Sequence, residues 1–206
     1  MENYLYIALG MLLAVSVHEA AHAAAAYYLG DPTAKLAGRL SLNPLRHLDP
    51  LGTIMIFLVG FGWGKPVPIN PYNLRNPRRG EALISLAGPM SNFFLAALLA
   101  LPLKYFFMGY EAGFGAVLAH FLAVTIYLNV ALMVFNLLPI PPLDGSKVVA
   151  AFLPISWESQ LNRFQQNGWI ILFGVIILSR ILNFPIFAYV VGPAVDFIQS
   201  LIFLTT

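Results

Sequence analysis

From Tyr4 to Leu29 the chain is almost wholly apolar, interrupted by Ser16, His18, Glu19 and His22. A run of that length is long enough to cross a bilayer as a helix, which takes about 20 residues. Ala82 to Met108 and Phe114 to Leu138 have the same reach. Near the C-terminus, Trp169 to Leu182 is apolar but short, and Ile186 to Leu204 is longer, with Asp196 inside it. Charged residues make up only 10% of the chain and hydrophobic ones 59%, with a mean hydropathy of +0.78. A soluble domain carries about a quarter of its residues as charges, so a water-soluble enzyme and a disordered chain are both excluded. The pattern predicts an all-α polytopic membrane protein with about five to six transmembrane helices.

A shorter apolar stretch, Leu51 to Phe61, cannot span and is followed by Gly62, Trp63, Gly64, Pro66, Pro68 and Pro71. It reads as a strand or re-entrant region, which is tolerated at membrane depth only where protein or a cavity surrounds it. Lys35, Arg39, Arg46, Lys65, Arg75, Arg78 and Arg79 lie between the first two spans. By the positive-inside rule that loop is cytoplasmic and the N-terminus outside. A cleaved signal peptide would open on basic residues, whereas Glu2 follows Met1 and Lys35 is the first cation, so the first helix is expected to stay. No repeat or low-complexity tract divides the chain, and a single membrane-embedded domain over 1–206 is expected, with a core over 4–150 and further helices over 151–206. A net charge of +2 with no basic run gives no reason to expect nucleic acid. With no cysteine, a metal would have to be held by His, Asp, Glu or backbone groups.

The first helix carries His18-Glu19-Ala20-Ala21-His22. Two His four residues apart stand one turn apart on one helix face, so both imidazoles can reach one ion. The Glu beside them can act on a metal-activated water without binding the metal, which is the H-E-x-x-H pattern of zinc hydrolases. Ionisable groups at membrane depth are costly and usually functional; the plain alternative is a buried polar cluster that pairs helices. Zinc needs a third protein ligand. His47, His120, Asp31, Asp49, Glu81, Glu111, Glu158 and Asp196 are available, but Asp144 stands apart because Pro139, Pro141 and Pro142 stop the third helix just before an Asp-Gly turn. On its setting alone Asp144 is as good an N-cap for a following short helix as a ligand.

These residues resemble a known family. His18 to His22 in the first span, Ala87-Gly88-Pro89-Met90-Ser91-Asn92 in the second and Asn136 to Gly145 after the third are similar to the motifs of the site-2 proteases, which are intramembrane zinc metalloproteases. The run Gly62 to Pro68 is also similar to the loop that members carry before their second core helix. The resemblance implies one Zn2+ held by His18, His22 and Asp144, with Glu19 as general base and Asn136 as a donor to the reacting carbonyl. It also implies a minimal member without PDZ or CBS modules. Asn92 reads equally as a structural or a substrate contact, Asn129 as an interhelical hydrogen bond, and His120 as a packing residue; Asp196 has no assigned role.

The function expected is hydrolysis of peptide bonds within or near transmembrane helices of single-pass substrates, such as an anti-sigma factor or another membrane-tethered regulator. Substrate helices must unwind first, and an extended peptide is expected to add to a strand edge between Leu36 and Asn70. The alternative is a transporter or metal-ion channel using the same His, Glu and Asp cluster, but such proteins commonly carry internal repeats. The short chain fits a prokaryotic plasma membrane, with the active site nearer the cytoplasmic side.

Overall fold

The long apolar runs are helices in the computed structural model, which describes residues 2–59 and 63–205. Helix α1 (Glu2–Tyr28) ends because Gly30 takes φ +106°, a left-handed backbone that a side chain would oppose. There the Gly30 N–H donates to the Tyr27 carbonyl at 3.1 Å and the Asp31 N–H to Ala26 at 2.8 Å, the paired bonds of a Schellman stop. A short α2 (Thr33–Leu36), a single turn at Pro44–Arg46 and α3 (Pro50–Val59) follow. Helix α4 (Pro77–Pro102) starts at Asn76, whose Oδ1 accepts the Arg79 N–H at 3.1 Å, with Pro77 in the first turn. A π turn at Leu103–Phe107 extends it. Then come α5 (Gly113–Asn136), α6 (Asp144–Ala150), α7 (Glu158–Gln166), α8 (Gly168–Ile181) and α9 (Ile186–Thr205).

Among the described residues, four helices are long and apolar enough to cross a membrane: α1, α4 with its extension, α5 and α9. A fifth span arises if the segments Ile155–Gln166 and Gly168–Ile181, bent by 55°, count as one. The all-α polytopic reading therefore holds. The helices α1, α4 and α5 pack on one another, α6 lies against α4, and α9 covers α5. The largest apolar core joins Ala96 and Ala100 of α4, Ile126, Val130 and Met133 of α5, and Val195 and Ile202 of α9. Leu98, Phe94, Phe114, Tyr127 and Val190 are exposed on the outer faces, as expected where lipid rather than water is the solvent.

The region between α1 and α4 corrects one expectation. Leu51 to Val59 is part of helix α3, and Gly60, Phe61 and Gly62 lie outside the described residues. Among the described residues there is no strand, only an isolated antiparallel bridge between Leu48 and Gly64, so the strand edge expected between Leu36 and Asn70 is reduced to one pair. A short apolar run has no periodicity of its own to tell helix from strand, and here Pro50 opens a helix.

Asp31 ties the end of α1 to the chain that enters α4. Its Oδ1 accepts from the Thr33 N–H at 3.1 Å, the Thr33 hydroxyl at 2.5 Å and the Asn73 amide at 2.8 Å, while Oδ2 accepts from the Asn70 N–H at 2.7 Å. Burial by itself would raise the Asp31 carboxyl, but these donors outweigh it and hold the carboxyl below the ordinary aspartate value. Replacing it leaves several donors without an acceptor, so Asp31→Ala is expected to cost roughly 3 kcal/mol. The stabilisation is whole above about pH 4 and lost as pH falls through the lower folded value. Thermal unfolding in detergent between pH 3 and 7 checks both: wild type should lose its advantage over Asp31→Ala only at the acid end.

Candidate metal centre

The two His of α1 face α4, and each ring is oriented by a partner that can only accept at Nδ1. His22 Nδ1 lies 2.6 Å from the Ile84 carbonyl of α4, so it carries the proton there. His18 Nδ1 lies 2.7 Å from Asn92 Oδ1. The Asn92 amide is itself fixed, because its Nδ2 donates to the Ala14 carbonyl at 3.0 Å and to Asn129 Oδ1 at 2.8 Å. Asn129 Nδ2 in turn donates to the Thr125 carbonyl at 2.8 Å. Both imidazoles therefore present an unprotonated Nε2 on the same side. Asn129 serves as the expected interhelical hydrogen bond, and Asn92 holds a histidine rather than a substrate.

The rings fit between α1 and α4 because residue 88 is glycine. A Cβ at Gly88 would lie 2.5 Å from His22 Cε1 and 2.7 Å from His18 Cε1, well inside contact distance. Helix α6 brings the third group. The Asp144 Oδ2 lies 3.1 Å from His18 Nε2 and 3.2 Å from His22 Nε2, with the two Nε2 atoms 2.9 Å apart. Asp144 is the first residue of α6, Leu143 occupies the cap position, and no side chain caps the helix. The carboxylate thus turns toward the histidines instead of over its own backbone. The helix is anchored at its other end by Arg78 of α4, whose Nε donates to the Ala150 carbonyl at 3.0 Å and whose Nη2 also reaches the Leu153 carbonyl.

His18, His22 and Asp144 are the one group of three His or acidic ligands among the described residues whose donor atoms converge. Three donors on one tetrahedral zinc at about 2.0–2.1 Å stand roughly 3.3 Å apart, so separations of 2.9, 3.1 and 3.2 Å suit a single ion. Two neutral imidazoles and a carboxylate leave one position open, the arrangement of a catalytic rather than a structural zinc site.

Glu19 stands apart from the three, its Oε2 3.9 Å from Arg39 Nη2. Asn136 is the last residue of α5, and its Nδ2 donates to the Leu132 carbonyl at 3.0 Å. Of the other acids and histidines considered as ligands, Asp31 anchors the α1 terminus, and His47 is buried with Nε2 donating to the Ser41 carbonyl at 2.6 Å. The His120 ring lies 5.3 Å from the Tyr6 ring and is tilted to it by 59°, and Asp196 is exposed on α9. Sequence reasoning missed Arg39, which it counted only as a loop charge. Its one local signal is a polar cluster, Arg39 to His47, between two membrane helices.

Comparison with known proteins agrees with this geometry. The sequence profile described as peptidase family M50 matches residues 109–180. Over nearly the whole chain there is 38% identity, across 194 residues, to the Bacillus subtilis protein named "Putative zinc metalloprotease YwhC", covering 93% of this chain and 86% of that one. A protein of Mycobacterium tuberculosis strain H37Rv, named "Putative zinc metalloprotease Rip2", is 33% identical over 186 residues, covering 87% and 69% of the two chains. No solved structure matches.

Two substitutions probe how the centre is built. Gly88→Ala is expected to displace both rings and abolish stoichiometric zinc binding, as measured by metal content after purification. Asn92→Ala frees the His18 ring and is expected to weaken zinc roughly 10- to 100-fold, as read by competition with a chelating dye.

Proposed function

From the premise that the chain belongs to peptidase family M50 and is a zinc metalloprotease of the site-2 type, we propose that it hydrolyses peptide bonds in or near the transmembrane helices of other membrane proteins. The observation that carries this reading is the convergence of His18, His22 and Asp144 inside a bundle of membrane-length helices. A water-activating site buried among such helices is suited to a peptide bond that is itself in the membrane.

His18 and His22 would hold the zinc through Nε2 and Asp144 through Oδ2, their orientations fixed as described. Zinc bound there supplies a Lewis acid that polarises a carbonyl and lowers the pKa of water toward about 7. Glu19 accepts at its carboxylate the proton of the attacking water as the C–O bond forms, then returns it to the nitrogen of the departing amine as the C–N bond breaks. Asn136 gives one N–H to Leu132 and keeps a second for the carbonyl oxygen of the substrate. Substrates are single-pass proteins whose helix is locally weakened by Gly, Pro or Asn, because a regular helix keeps its peptide bonds within its own ladder. Membrane-tethered regulators, anti-sigma factors among them, have this form.

The site lies in the C-terminal half of α1, toward the loop and first turn of α4 that together hold seven of the eleven Lys and Arg residues. That supports a site nearer the cytoplasmic side of a cell membrane, and the relatives above are bacterial.

The test combines metal and cleavage. Zinc per chain is measured in detergent for wild type, His22→Ala, Asp144→Ala and Glu19→Gln, and each is co-expressed with tagged single-span helices carrying a mid-span Gly or Pro. About one zinc is expected in wild type and Glu19→Gln and a loss in the other two. Cleavage by Glu19→Gln should fall by roughly 100-fold or more. Zinc that survives Asp144→Ala overturns the ligand set, and undiminished cleavage by Glu19→Gln overturns the general base.

A further inference from the structure

Arg39 is a buried cation next to the proposed general base. It follows α2 and is only 4% exposed, although arginine is rarely buried without a full set of partners. Its Nη2 makes three approaches: it donates to the Lys65 carbonyl, stands 3.9 Å from Glu19 Oε2, and lies 3.4 Å from His47 Nδ1. Its Nε and Nη1 are buried with no hydrogen-bond partner among the described residues.

The same loop holds the other side of the Lys65 backbone. The Lys65 N–H donates to the His47 carbonyl at 2.8 Å, and the His47 ring is fixed by its 2.6 Å bond to the Ser41 carbonyl. Both polar backbone groups of Lys65 are thus gripped by residues 39–47. The preceding residue, Gly64, bridges to Leu48. A Cβ on Gly64 would lie 3.7 Å from Glu19 Oε1 and 3.5 Å from Val15 Cγ1. The Gly64–Lys65 segment therefore crosses α1 at the level of Glu19, with Arg39 in contact with both.

Stability alone disfavours this arrangement. Orphaned guanidinium donors in the interior carry a desolvation cost, and buried ion pairs often contribute less than apolar packing would. Lysine would replace the rigid guanidinium plane that aims Nη2 at the carbonyl and the carboxylate with an ammonium on a flexible stem. We infer that Arg39 is a positioning residue for the proposed reaction: it couples Glu19 to the Lys65 peptide and so sets the Gly64–Lys65 segment beside the general base. The inference rests on the reading of Glu19 above.

The chain has no cysteine, so an introduced pair reports this placement directly. In Val15→Cys/Gly64→Cys the 3.5 Å approach is close enough for a disulfide after a small shift. Oxidation of the full chain in detergent is timed with Arg39 intact, with Arg39→Ala and with Arg39→Lys, and melting in the same detergent reports the fold. With melting preserved, cross-linking should slow by roughly fivefold or more in Arg39→Ala, and Arg39→Lys is the variant read if Arg39→Ala does not fold. A rate that stays within that limit in a folded variant overturns the inference. So does a slowing seen only together with loss of the melting transition in both variants, which would make Arg39 a residue of the fold alone. A wild-type chain that binds no zinc would refute the metal site, while the cross-linking rates still decide this question.

Discussion

Two imidazoles wedge between α1 and α4 because Gly88 leaves the space they fill, and the rest of the centre depends on that close approach. With the helices at this distance, the Ile84 carbonyl and the Asn92 amide reach the two Nδ1 atoms and turn both Nε2 atoms outward. A helix carbonyl is normally committed to its own ladder, so its second lone pair serves His22 without breaking α4. Asn92 is tied to Ala14 of α1 and to Asn129 of α5, so one buried amide joins all three core helices to the orientation of His18.

The carboxylate is delivered by a different device. Helix α6 has only seven residues, too few to hold a position alone. It is pinned at its C-terminal end by Arg78 and at its start by Gly145, where a Cβ would overlap the backbone of Leu137 and Leu138. Asp144 is thereby held at the histidine pair by contacts made elsewhere along α6.

Polar chain between α1 and α4 completes the surroundings. Asp31 closes the end of α1 onto the residues before α4, and Arg39 with His47 holds Lys65 against the flank of α1. The cations of this region have three different employments: Arg78 stops α6, Arg39 faces Glu19, and Lys35 sits 4.0 Å over the Tyr27 ring. They share a sign, but their roles come from what each one touches.

Helix lengths, the placement of His18, Glu19 and His22 on one stretch of α1, and the membrane setting are all legible in the chain itself, because apolar run length and the 3.6-residue turn are local properties. The motif around Gly88 can be recognised in the sequence, but its physical reason, the room for two rings, cannot be read there. Whether Asp144 caps a helix or faces the histidines is undecidable locally, since the same Asp-Gly suits both, and only the packing of α6 on α4 turns it inward. Leu51 to Val59 is too short for its pattern to separate helix from strand. Asn92 and Arg39 acquire their positions from partners 74 residues and 20 or more residues away, as with Asn92 to His18 and Arg39 to Glu19 and Lys65. The helices and one face of the site follow from local sequence, whereas the placement of Asp144, the orientation of the rings and the neighbours of Glu19 come from packing, because those depend on contacts between segments that no local periodicity encodes.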